Sequence, residues 1–202
     1  MTASPKPESV LAFWFGAPGS AAEVAGRQTR LWFGKSPVND QRVIEQFTDT
    51  LVAASQGGLD HWAGTPRGRL ALVIVLDQFP HHIHRDHPQA FATDPQSLAL
   101  CLDALAAGED RQLAPIERVF LYLPLEHAES LAMQDRSVAL YETLAHESEP
   151  DERTLFDNFL DYARKHRDVV ARFGRFPHRN AILGRPSTPD ELEFLKQPGS
   201  RF

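Results

Sequence analysis

The spacing of apolar residues along the chain predicts helices from one end to the other. Between about residues 149 and 173, side chains suited to burial recur at alternating spacings of four and three, as on one face of an amphipathic helix. This stripe runs through Leu155, Phe159, Tyr162, His166, Val169 and Phe173. A shorter stripe of the same kind covers residues 94–107, and no segment shows the alternation of a strand. The pattern therefore predicts an all-α protein.

The run Leu70 to Leu76 is apolar on every side. Taken alone, it fits a buried strand as well as a buried helix. Thr65 followed by Pro66 is a typical helix start, because proline at the first helical position has no N–H to leave unpaired. We therefore expect a central buried helix here.

Helix starts and stops are marked along the rest of the chain. A capping residue precedes proline at Ser36-Pro37, Asp94-Pro95 and Thr188-Pro189, and Glu191 completes a capping box with Thr188. Gly57-Gly58, Gly108 and Gly174 are placed as C-terminal glycines. Pro124 should kink or divide the helical run from Ile116 to about Leu144.

Length and composition bound the fold and the cellular context. The 202 residues predict one all-helical domain over residues 1–202, with residues 1–6 as a loose tail. The helices are expected to stack antiparallel, as an α-solenoid or an irregular bundle. The polar N-terminus has no signal-peptide pattern, and the longest apolar run is too short to span a bilayer. We expect a cytoplasmic protein without a membrane partner; its oligomeric state stays open.

Charge and cysteine usage exclude some classes of partner. The net charge of −6 argues against nucleic-acid binding, which calls for a basic surface. The single cysteine, Cys101, leaves no disulfide framework and no cysteine-based zinc site. It lies on the apolar face of its helix and is expected to act as a small hydrophobic residue. No cofactor is predicted.

The segment Arg172 to Asn180 is the richest in chemistry. It holds three arginines, a histidine and an asparagine within nine residues. Guanidinium groups bind carboxylates and phosphates through two parallel hydrogen bonds, which predicts an anion site. The alternative is that these arginines pair with carboxylates of the protein itself. The ligand-binding candidates in this segment are Arg175, His178, Arg179 and Asn180.

Asp77 ends the apolar run, where a carboxylate opposes the helix dipole and needs a partner. We expect that partner to be Arg85 or an arginine of the segment 172–180, with Asp77 and Arg85 in a pocket wall. A simple salt bridge is the alternative. The nearby histidines at positions 81, 82, 84 and 87 follow no zinc motif and are expected to form a solvated loop rather than a metal site.

Three further residues are candidates for acid–base chemistry. His127 and Glu129 follow Pro124, and His166 lies within the apolar stripe of the long helix. Inward-pointing histidines are natural general bases, although a buried histidine is usually only hydrogen-bonded. Trp32 is most simply a core residue, with a place in the lining of the ligand pocket as the alternative.

The chain resembles the bacterial domain of unknown function 924 family over nearly its whole length. The resemblance is carried, in order, by Phe13-Trp-Phe-Gly16, Trp32-Phe-Gly34, Asp77-Gln-Phe-Pro80 with Arg85, Phe120-Leu-Tyr-Leu-Pro-Leu125 with His127 and Glu129, and Arg172 to Asn180 with Leu183-Gly-Arg185. It implies an all-α fold similar to tetratricopeptide-repeat proteins and supplies no activity or cofactor. By that resemblance, arginine and asparagine are expected where His81 and His82 stand.

Three functions remain in competition. The first is a helical protein that binds an anionic small molecule or an acidic peptide in a pocket lined by arginines and histidines. The second is a small-molecule hydrolase or transferase, in which His127 or His166 acts as base and the arginines stabilise negative charge. The third is a protein-interaction scaffold with a structural arginine segment. A histidine and a carboxylate within hydrogen-bond reach would favour the enzyme.

Overall fold

The computed structural model describes residues 5–200, and all its regular structure is helical. The α-helices are α1 (Pro7–Phe15), α2 (Ala21–Trp32), α3 (Pro37–Ser55), α4 (Pro66–Val73), α5 (Phe79–Ile83), α6 (Asp94–Ala106), α7 (Pro115–His127), α8 (Leu131–Glu147), α9 (Arg153–Phe173) and α10 (Pro189–Phe194). Short 3₁₀ turns connect several of them, at Asp60–Gly64, Pro88–Phe91, Glu109–Gln112 and Pro177–Arg179. The all-α prediction is confirmed. The predicted loose tail falls largely on residues 1–4, which lie outside the described residues.

Local sequence signals explain where most helices begin and end. The Ser36 and Thr65 hydroxyls accept hydrogen bonds from backbone N–H groups of the first turns of α3 and α4. Thr188 and Glu191 form the predicted capping box of α10. Gly174 adopts a left-handed conformation at the end of α9, which a residue with a Cβ rarely does.

Asp94 departs from the expected capping role. It is the first residue of α6, Thr93 precedes it as the cap, and no side-chain cap bond forms. Its carboxylate instead accepts a hydrogen bond from Arg179. Since an aspartate before proline is a common cap, the sequence carried no sign of this different partner.

The apolar core forms mainly around α4, which contacts α1, α6 and α7. The residues from Leu70 to Leu76, in the second half of α4 and the turn after it, are all buried, as their apolar sequence predicts. Beside it, Trp14, Phe79 and Phe120 pack edge to face. The predicted division near Pro124 occurs just after that residue: α7 ends at His127, and α8 packs along α9.

Candidate functional site

A π-helical turn lies between α4 and α5. It covers Ile74–Gln78 and is wholly buried. A π turn holds one residue more than an α-helical turn and is found frequently at functional sites. Here it brings Asp77, which is 0% exposed, to the inner side of the fold.

The partner of Asp77 is His127, at the end of α7. The His127 Nδ1 and Asp77 Oδ1 atoms are 3.0 Å apart. The Gln78 amide donates to Asp77 Oδ2 at 2.6 Å, so both carboxylate oxygens have a partner. This corrects the expectation of an arginine partner, because the end of α7 rather than Arg85 meets the π turn.

Each member of this pair stabilises the charged form of the other. Burial by itself would raise the pKa of Asp77, but the charge of His127 and their hydrogen bond lower it overall. Burial disfavours the charged form of His127, yet Asp77 raises the pKa of that histidine above its ordinary value. Asp77 and His127 therefore form a carboxylate–imidazole dyad, in which Nδ1 carries the proton toward Asp77.

Two other histidines lie beside the dyad and stay uncharged. The ring centres of His81 and His166 lie 5.8 and 6.4 Å from that of His127. Burial, reinforced by the charge of His127, lowers the pKa of each to about 3. His166 Nδ1 donates to the Tyr162 carbonyl at 2.9 Å, which sets its tautomer.

Glu126 is a buried carboxyl beside the dyad. Its Oε1 atom lies 3.1 Å from His166 Nδ1. Burial, with the charge of Asp77, raises the pKa of Glu126 to about 7, against the opposing charge of His127. Glu126 thus keeps its proton up to neutral pH.

Arg179 forms the other side of the cluster and is 7% exposed. Its guanidinium carbon packs over the rings of Phe91 and Phe176, at 4.5 and 4.9 Å from their centres. Its Nη1 donates to Asp94 Oδ2 at 3.0 Å. Burial, opposed by Arg179 and reinforced by Asp77, raises the pKa of Asp94 to about 6.

Parts of this pair have no hydrogen-bond partner. Arg179 Nε and Asp94 Oδ1 are both buried without one among residues 5–200. Arg179 Nη2 likewise makes no hydrogen bond within that range. A buried unpaired polar atom costs about 1–3 kcal/mol, so this is an unusual place in the fold.

The neighbouring arginines are bound within the protein. Arg85 donates through Nε and Nη2 to Asp40, and Arg175 does so to Glu191. Glu129 takes two bonds from Arg185 and one from the Phe176 N–H. Arg85, Arg175 and Glu129 are thus occupied in tying segments together.

The other predicted site residues contact partners outside the cluster around Asp77 and His127. The Trp32 Nε1 donates to the Trp14 carbonyl inside the aromatic core. The Asn180 amide donates to Ser187 and Glu191, and His178 packs against the Phe176 ring. Of the predicted residues, Asp77, His127, His166 and Arg179 come together. His81, Asp94 and Glu126 join them and were not predicted.

The histidine run is not the solvated loop expected from its sequence. His81 and His82 lie in α5, where His82 is buried and its Nδ1 lies 2.8 Å from Asp40 Oδ1. Only the four-residue spacing from Asp77 to His81 hinted that both face one side of a helix. Between residues 5 and 200, no group of three or more His, Cys, Asp or Glu side chains is arranged to hold a metal ion.

A surface cleft of about 470 Å³ lies elsewhere, beside the C-terminal segment. Arg172, Arg175 and Glu191 are among its lining residues. It contains neither the dyad nor Arg179, and two of its charged lining residues, Arg175 and Glu191, are paired with each other. The chemistry of the molecule is therefore concentrated in the buried cluster rather than in this open cleft.

Comparison with known proteins places the chain in a family. The sequence profile described as "Bacterial protein of unknown function (DUF924)" matches residues 10–199. The chain belongs to this family. This DUF924 member is also similar to a solved structure, the protein of unknown function ATU0120 from Agrobacterium tumefaciens. That similarity has a TM-score of 0.79 and 34% identity, over 94% of this chain and 96% of that one.

A comparison of the DUF924 chain with curated proteins gives no match. Within the described part of the chain, no helix is long and apolar enough to cross a membrane.

Proposed function

We propose that this DUF924 protein binds a small molecule through a carboxylate held by Arg179. The observation that carries the proposal is the unused edge of the guanidinium formed by Nε and Nη2. Arg85 and Arg175 use that same edge to bind carboxylates within the chain. An external carboxylate would complete Arg179 in the same two-pronged way.

The charges around Arg179 favour a singly charged group. The carboxylates of Asp94 and Asp77 act on the same region, and the charge of Arg179 opposes that of Asp94. A phosphate carries up to two negative charges near neutral pH and would face these carboxylates with less compensation. A carboxylate group brings one charge to the guanidinium, any second carboxylate of the same molecule lies several bonds away, and its two oxygens match the fork of Arg179.

The surroundings of Arg179 hold it ready for such a ligand. The rings of Phe91 and Phe176 pack against the guanidinium, and Asp94 accepts a hydrogen bond from its Nη1. A side chain that is already ordered loses little conformational entropy when a ligand binds. Because Nε is buried, a local movement of the neighbouring side chains accompanies its contact with a ligand oxygen.

The charge-conserving variant Arg179→Lys tests the proposal. Lysine can keep the ion pair with Asp94 but lacks the planar edge. With succinate as the probe, we expect roughly ten- to hundredfold weaker binding, because a hydrogen bond to a charged group contributes about 1.5–3 kcal/mol. Calorimetric titration gives the affinities, and Arg172→Lys, at an exposed arginine, is the matched control.

Two measurements complete this test. In the wild-type protein, succinate should shift the NMR signal of the Arg179 Nε–H, a readout that needs no variant to fold. Equal affinity of the wild type and Arg179→Lys would contradict the proposal. Tighter binding of inorganic phosphate than of succinate would overturn the choice of a carboxylate.

A further inference from the structure

We propose that the same site is catalytic, and that His127 Nε2 activates a water molecule to hydrolyse an ester whose free carboxylate is held by Arg179. The inference rests on the proposed function, since Arg179 supplies the binding half of the site. It adds a reaction class and a substrate class: monoesters of small dicarboxylic acids, or related esters that carry a carboxylate.

The geometry of the dyad carries this proposal. Asp77 is fully buried, accepts from His127 Nδ1 at 3.0 Å and is held by Gln78 on its other oxygen. With Nδ1 occupied, Nε2 is the nitrogen that can exchange a proton with a ligand. A buried carboxylate that orients an imidazole in this way fixes its tautomer and stabilises the imidazolium formed during catalysis.

The side chain of His127 is accessible as well as oriented. The His127 side chain is 17% exposed to solvent, whereas the Asp77 side chain is fully buried. Among the described residues, no serine, threonine or cysteine side chain hydrogen-bonds to His127. The described residues thus offer His127 no hydroxyl or thiol nucleophile to activate, and we assign the attack to water.

The charges facing His127 suit a proton-transfer role. Six ionisable residues on the surrounding elements face His127: Asp77, His81, Asp94, Glu126, His166 and Arg179. His81 and His166 are neutral near pH 7, so they do not repel a charged His127. Asp77 raises the pKa of His127 by more than Arg179 lowers it. Asp77 raises the pKa of His127 above its ordinary value against the effect of burial, which stabilises the imidazolium that forms when His127 takes a proton.

The reaction proceeds in two balanced steps. In the first, the water oxygen forms a bond to the ester carbonyl carbon while its proton moves to His127 Nε2, which gives a tetrahedral oxyanion and an imidazolium. In the second, the bond between that carbon and the ester oxygen breaks, and the imidazolium gives its proton to the departing alcohol. The products are the acid and the alcohol, and His127 is again neutral.

The test uses mono-4-nitrophenyl succinate and follows the release of nitrophenol. We expect His127→Gln to lower kcat at least a hundredfold, since a general base contributes about 10²–10⁴ in rate. Its affinity for succinate, measured by calorimetry, should stay close to that of the wild type. His87→Gln, at an exposed histidine, is the matched control and should keep the full rate.

The variant Asp77→Asn separates orientation from simple structural support. It removes the carboxylate that raises the pKa of His127. We therefore expect a lower kcat and a pH–rate inflection displaced to lower pH. An unchanged inflection would show that Asp77 does not act through His127.

The outcomes distinguish this inference from the proposed function. Succinate binding without hydrolysis above the buffer rate, or hydrolysis unchanged in His127→Gln, overturns catalysis and leaves the binding proposal standing. Absence of succinate binding overturns the binding proposal itself.

If His127→Gln does not fold, diethyl pyrocarbonate labelling of the wild type followed by mass spectrometry replaces it. Succinate should protect His127 from labelling and leave the exposed His146 unprotected. Equal labelling of His127 with and without succinate would overturn the placement of His127 at the bound ligand.

Discussion

At the scale of single residues, the most unusual feature is the pair of Glu126 and His166. Both are buried and lie 3.1 Å apart, yet His166 is neutral near pH 7 and Glu126 ionises only as the pH rises through about 7. Their environment, rather than their residue type, decides this, because burial penalises each charge more than the partner compensates it. Any negative charge on Glu126 is therefore a cost to the fold.

We predict that Glu126→Gln flattens part of the pH dependence of stability. The pKa of Glu126 rises from 4.5 in the unfolded chain to about 7 in the folded one. The contribution of protonated Glu126 to folding stability is complete below pH 4.5 and is lost as the pH rises through about 7. The wild type should therefore lose stability relative to Glu126→Gln between pH 5 and 8, by at most about 3 kcal/mol.

Urea denaturation of both proteins across this pH range measures the difference. Other titrating groups are common to the two proteins and cancel in the comparison. If the free energies of unfolding of the two proteins changed in parallel from pH 5 to 8, Glu126 would already be charged at pH 5 in the folded protein.

The residues of the site were only partly predictable. Asp77 was recognisable because a carboxylate at the end of an apolar helix needs a partner. Which partner it meets is decided by how α7 packs against the π turn, and several polar residues had suitable sequence positions. Glu126 and Asp94 carried no signal, because a glutamate in a helix and an aspartate before proline are ordinary.

At the scale of elements, the close approach of α4 to the preceding 3₁₀ turn depends on Gly68. A Cβ at this position would overlap the Trp62 carbonyl oxygen, which is backbone and cannot easily move. Nearby Gly64 has open space around its Cβ position. These two glycines therefore have different roles, although they lie four residues apart.

We predict that Gly68→Ala lowers the free energy of unfolding by about 2 kcal/mol or more, because the added methyl group displaces backbone. Gly64→Ala should change it by less than about 0.5 kcal/mol. Denaturant titration of the two variants makes the comparison. A similar small effect at both positions would show that the turn shifts freely to admit the methyl group.

The helices were more predictable than their irregularities. Capping residues, glycine stops and the stripe of α9 reflect local physics, which acts within a few residues of chain. The π turn at Ile74–Gln78 has no residue signature of its own. Its presence depends on the packing of a uniformly apolar segment, in which no polar position marks the extra residue.

At the scale of the whole molecule, ion pairs attach the C-terminal segment to the helical body. Arg185 joins it to Glu129 after α7, while Glu191 accepts bonds from Arg175, Asn180 and the Thr188 N–H. The hydrogen bond from Arg175 above all, with those from the Thr188 N–H and Asn180, lowers the pKa of Glu191 to about 2 against the opposing effect of burial. Arg179 lies between these two connections in the chain, so they help to hold it in place.

We predict that Glu191→Gln destabilises the protein by about 2 kcal/mol at pH 7, since it weakens several charge-assisted bonds. The matched change Glu193→Gln, at an exposed pair with Lys196, should cost less than about 0.5 kcal/mol. The contribution of Glu191 is present above pH 4.5 and is lost as the pH falls through about 2. The gap between Glu191→Gln and the wild type should therefore narrow over that range.

Thermal and urea unfolding at several pH values measure this gap. A gap that stays constant from pH 7 down to pH 2.5 would indicate that Glu191 acts by shape rather than by charge.

The π turn has a consequence for how this protein can change over generations. Each residue of an α-helix advances about 100° around its axis. Loss of a single codon within Ile74–Gln78 would therefore rotate Asp77 relative to α4 and separate it from His127, with almost no change in amino-acid composition. Chain length at this point is thus as much a determinant of the dyad as the identities of its two residues, and natural variants that shorten this turn should lack the dyad even where both residues are present.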